Sequence, residues 1–152
     1  MPKPLVMELF LAGQAKSLEP LNIHGIYYLQ DAHVNSYPYW DQLNGTNSLW
    51  FGKQYEFKFS KLYQTNTQRC WFLGPRKRLG EFDGYIIGPK GIDEPPTRII
   101  KGWEYFDSEW KEAADSEIIF QDMSPSKPAS FLINSVFHTK FLFYQWLLTL
   151  VK

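Results

Sequence analysis

Residues 54–73 read QYEFKFSKLYQTNTQRCWFL, and this stretch decides the fold class. In its first half Tyr55, Phe57 and Phe59 alternate with Glu56, Lys58 and Ser60. A period of two places rings on one side and charge on the other, as in a strand wetted on one face. Gln64 to Gln68 is a polar turn. Arg69 to Leu73 then forms the most apolar short run nearby, which places it at the centre of a sheet. Strand, polar turn and apolar strand within twenty positions read as sheet.

The same grammar extends outward. Leu5 to Leu11 sorts Met7, Leu9 and Leu11 onto one face and Val6, Glu8 and Phe10 onto the other. Ala12 to Asn22 reads as a loop. His24 to Gln30 is a second strand, Asp31 to Asn35 a polar turn, and Ser36 to Gln42 a third strand. Pro38 lacks a ladder donor and so argues for a sheet edge. Asn44-Gly45-Thr46-Asn47 is a hairpin turn leading into Ser48 to Gly52; its match to a glycosylation sequon is the lesser reading. Gly74 to Gly80 connects Arg69–Leu73 to a partner strand at Phe82 to Ile87, and Gly88 to Pro96 is loop. Trp103–Phe106, Glu109–Lys111 and Glu117–Phe120 close the series, with one helical turn expected over Lys111–Asp115. Short strands at regular spacing, without a 3.6-residue period before residue 129, predict a mainly β domain. The expected form is a single antiparallel β-sandwich or partly open barrel.

The chain has 152 residues, enough for one domain with a real core and no need of disulfides or metals. Its 16 basic and 16 acidic side chains cancel, which removes the electrostatic case for a nucleic-acid partner. Cys70 is the one cysteine, so no intrachain disulfide forms, which points to a cytoplasmic setting. Within its apolar run it reads as a small buried hydrophobe rather than a reactive thiol. At the N-terminus, Glu8 interrupts the short apolar stretch, so a strand outranks a cleaved signal.

Several landmarks follow one another in order: His24-Gly25-Ile26-Tyr27, Pro38-Tyr39, Leu49-Trp50, Trp71-Phe72-Leu73, Leu79-Gly80, Pro95-Pro96, Gly102-Trp103 and Trp110. Together they resemble a small β module that recurs in multidomain proteins of protists and invertebrates. Its pattern is NG-x-Y, P-x-Y, a Trp strand, L-G, proline, G-W and a final Trp. The resemblance covers residues 5–120. His24 stands where the module carries Asn, and Lys53 to Gln68 looks like an insertion. No activity attaches to the module, so no functional residue is carried over from it.

The chemistry-bearing residues are scattered. His24, His33 and His138 have no cysteine or histidine at ligand spacing, and no nucleophile elbow or phosphate loop occurs. A non-catalytic chain with no metal and no cofactor is the expectation. Arg76-Lys77-Arg78 reads as a solvated hairpin tip, and the acidic run from Glu104 to Glu117 as a solvated surface. Rings make up 18% of the chain, and some of Tyr37, Tyr39, Trp40, Trp50, Trp103, Tyr105 and Trp110 must reach the surface. The expected binding face is Tyr39, Trp40, Trp50 and Trp103, recognising a protein partner, or alternatively a glycan.

Three regions follow from composition. Residues 5–122 form the aromatic-rich module, 123–130 a Pro/Ser linker, and 131–152 an apolar C-terminal segment. That tail reads first as an amphipathic helix docked on the sheet. Second comes membrane contact through residues 141–151, though Asn134, His138 and Lys140 disfavour a full crossing. The third reading is an end foreign to the module.

Overall fold

A computed structural model describes residues 3–55 and 67–124. Within them the chain forms nine strands: β1 (Val6–Leu11), β2 (Gly25–Val34), β3 (Tyr37–Gln42), β4 (Asn47–Tyr55), β5 (Thr67–Pro75), β6 (Ile86–Ile87), β7 (Glu104–Asp107), β8 (Glu109–Glu112) and β9 (Ile118–Asp122). All pair antiparallel in one sheet of order β8-β7-β6-β5-β4-β3-β2-β1-β9. The sheet curls strongly into a half-barrel. One curled sheet takes the place of the two packed sheets of a sandwich. Short 3-10 helices over Gly13–Leu21, Arg76–Arg78 and Pro96–Arg98 fill the connections.

Strand alternation separates two apolar clusters. Inside the curl, Met7, Leu9, Tyr27, Trp40, Leu49, Phe51, Trp71, Leu73, Trp103, Tyr105 and Phe120 make the main core. On the other face of β4 and β5, Trp50, Cys70 and Phe72 form a smaller cluster covered by Leu79 and Phe82. The register produces this sorting, because Phe51 lies opposite Trp71 on one face and Trp50 opposite Phe72 on the other. β5 is therefore buried on both faces, which explains why its sequence shows no alternation.

Four tryptophans act as staples between core and loops. The indole N–H of Trp40 donates to the Pro4 carbonyl at 2.8 Å, that of Trp50 to Glu81 at 2.8 Å, that of Trp71 to Glu94 at 2.8 Å and that of Trp103 to Ile99 at 2.9 Å. A buried indole that finds a partner avoids the desolvation penalty and fixes the loop that supplies the carbonyl.

Several expectations need correction. β2 continues through Asp31–Val34, where a turn was expected, because the polar residues there mark an exposed hairpin arm. The turn itself is Asn35-Ser36, both left-handed at φ 53° and 70°, the conformation of a two-residue hairpin loop. Pro38 lies in an interior strand, not at an edge. The β2–β3 register shifts by a bulge between Leu29 and His33, and the β3–β4 ladder covers only Trp40 and Asp41, so the missing N–H interrupts no β4 pairing. β4 runs unbroken through Gly52 and Lys53; of the alternating strand expected over 54–63, residues 56–63 lie outside the described residues. Phe82–Ile87 shrinks to the two residues of β6. Lys111 and Glu112 belong to β8, so no helical turn forms there. The Ala12–Asn22 loop winds as a 3-10 helix with Ala15 and Leu18 buried.

The end of the module is paired a little beyond residue 122: Met123 N–H donates to Val6 at 2.9 Å, and the Leu5 N–H to Ser124 Oγ at 3.0 Å. The rest of the linker and the apolar segment 131–152, with its expected helix and membrane contact, lie outside the described residues. Among those described, no helix is long and apolar enough to cross a membrane.

Candidate interaction surface

Of the four expected contact residues, three are interior. Trp40, Trp50 and Trp103 are 1%, 0% and 1% exposed. They do not share a face, since Trp40 and Trp103 lie in the main core and Trp50 in the smaller cluster. Only Tyr39 is half-exposed; burial and then the nearby Asp41 carboxylate raise its phenol above the ordinary value. These four side chains therefore share no exposed ring surface. Tyr105 is also buried, whereas Trp110 is not.

Among the described residues the most exposed rings are Phe10 on β1 and a pair that sits together on the β7–β8 hairpin. Phe106 and Trp110 are 46% and 45% exposed, directly opposite each other in the register, with ring centroids 5.4 Å apart in an edge-to-face arrangement. Two rungs of the ladder away, on the same face, Glu104 lies opposite Glu112. Asp107 lies opposite Glu109 on the other face, and the one ion pair in the hairpin is Lys111 to Asp107 at 3.5 Å. Like charges directly opposite disfavour a strand pair, so this hairpin carries a local electrostatic cost. β8 ends the sheet order, and its outer main chain takes no strand partner among the described residues.

The basic cluster proves structural at two of its three positions. Arg76 Nε donates to Asp41 Oδ1 at 3.0 Å and Ser48 Oγ at 3.2 Å, while Nη2 donates to the carbonyls of Gln42 at 3.3 Å and Asn47 at 3.2 Å. Arg78 pairs with Glu81 at 3.0 Å and approaches Asp83 at 3.7 Å. Arg76 is a clamp across the β3–β4 hairpin, not a solvated tip.

The same hairpin borders a half-open cleft of about 520 Å³ between Leu21–Ile26 and Gln42–Asn47. Sequence reasoning passed over this cleft because its lining comes from two loops that read as ordinary turns. His24 sits on its wall, whereas His33 lies at the far end of β2 beside Lys3, so the two histidines do not meet. Cys70 is buried, which pushes its thiol up to about 12. Among the described residues, no group of three His, Cys, Asp or Glu side chains is placed to hold a metal ion.

Comparison of the chain with family models, with curated proteins and with solved structures gives no match.

Proposed function

We propose that this chain is a non-catalytic recognition module for a protein partner, and that the β7–β8 hairpin makes the contact. The observation that carries this reading is the Phe106–Trp110 pair, two large rings held exposed side by side across the hairpin that ends the sheet. Aromatic anchors of this kind dominate the energetics of many protein interfaces. The main chain of β8, which has no strand partner among the described residues on its outer side, supplies the hydrogen-bonding edge that an extended segment can join as an added strand. The Glu104–Glu112 juxtaposition favours a segment bearing Lys or Arg, which relieves the repulsion and can lie against the ring faces.

The test is selection from a displayed library of extended peptides, using the folded chain as bait. Wild type is expected to enrich Lys- and Arg-containing peptides, with binding that weakens as salt rises. A Phe106→Ser, Trp110→Ser double variant is expected to lose them while keeping its circular dichroism spectrum. Equal capture by the folded double variant sinks the proposal.

A further inference from the structure

The cleft beside the β3–β4 hairpin is a second feature, independent of the aromatic pair. Its walls are tied together before any ligand arrives. Gln42 Nε2 donates to the carbonyls of Asn22 at 2.6 Å and His24 at 3.1 Å, and Gln42 Oε1 accepts from Asn47 Nδ2 at 2.8 Å. Gly45 is required by this arrangement, because a Cβ there would collide with the Gln42 carboxamide. Behind the wall, the Arg76 guanidinium holds the carbonyls of Gln42 and Asn47.

Asn47 is 5% exposed, yet its Oδ1 accepts no hydrogen bond from the described residues. That leaves Oδ1 as an acceptor for a donor that enters the cleft. No Asp, Glu, Lys or Arg lines the cleft, so it suits an uncharged ligand. Exposed Asn22, His24, Asn44 and Thr46 surround the opening and offer both donors and acceptors. That pairing matches hydroxyl groups, each of which donates and accepts. Leu21, itself 40% exposed, adds apolar area for C–H faces. β3 and β4 pair with each other on this side, so an extended peptide would find no free edge here. The volume lies within the range of small-molecule sites.

We propose that this cleft binds a neutral polyhydroxylated ligand of sugar size, one of whose hydroxyls donates to Asn47 Oδ1. The test is amide NMR titration of the folded chain with glucose, galactose, mannose and N-acetylglucosamine in turn, and with glycerol as control. At least one sugar is expected to shift the amides of residues 21–26 and 42–47 with a dissociation constant on the order of 1 mM, while glycerol leaves them unmoved. A His24→Ala, Thr46→Ala variant, altered only at exposed positions, is expected to bind about tenfold more weakly with its spectrum otherwise retained. The proposal is overturned if no sugar moves those amides, if glycerol moves them alike, or if the variant binds as wild type.

Discussion

Trp103 and Phe120 stand with ring centroids 5.1 Å apart, although they belong to opposite ends of the sheet. Trp103 immediately precedes β7, next to one edge, and Phe120 lies in β9 at the other. The two ends of the curl thus meet through side chains. Phe120→Ala removes this contact from the main core, and truncating a buried ring of this size costs about 3–5 kcal/mol. Urea unfolding followed by tryptophan fluorescence should show that loss as a lower midpoint with an unchanged slope.

Arg76 joins Asp41, Ser48 and two carbonyls through one planar fork. Lysine cannot reproduce that geometry. Arg76→Lys and Arg76→Ala are both expected to destabilise the fold by about 1–3 kcal/mol, because removing the fork leaves a mostly buried carboxylate underpaired. A lysine variant as stable as wild type in thermal melts contradicts the clamp.

Glu117 gives a pH dependence. Backbone N–H groups of Ala114 and Ala15 donate to its carboxylate at 2.8 and 3.0 Å, and they hold its carboxyl below the usual carboxylate range. A pKa lower in the folded than in the unfolded chain adds stability above the unfolded value, about 4.3, and loses it as pH falls through the folded one. Wild type should therefore exceed Glu117→Gln in stability at pH 7, and the gap should shrink as the pH is lowered through the carboxylate range. A gap constant from pH 7 to pH 3 excludes the carboxylate as its source.

Cys70 should be inert while the chain is folded. Burial raises its thiol to about 12, so on the order of 1 in 10,000 molecules carries a thiolate at pH 8. An aromatic disulfide reagent is expected to label it slowly in buffer and rapidly in guanidinium. Rapid labelling in buffer, at a rate insensitive to denaturant, contradicts the burial.

Three departures from the sequence reading have different physical origins. Asp31–Asn35 and Lys111–Asp115 were mistaken because polarity reports contact with water, and an exposed hairpin arm has as much of it as a turn. Pro38 misled because a bulge and a short ladder in three dimensions excuse a missing donor that a regular strand would not. Trp40, Trp50 and Trp103 misled for a third reason. An indole has an apolar body and one donor, so its composition suits an interface and a core equally, and a loop carbonyl within 3 Å decides between them.

Local chemistry by itself determined the β class, the approximate position of most strands and the burial of Cys70, since ring alternation and turn residues act over a few positions. Only the tertiary structure decided that the strands make one curled sheet, that Phe106 and Trp110 are held side by side on its outside, and that the Gln42–Asn47 pair, backed by Arg76, builds one wall of a cleft. Those outcomes depend on which strand lies beside which, and on loop carbonyls brought together from 20 or more positions apart. Spacing along the chain carries no record of such meetings.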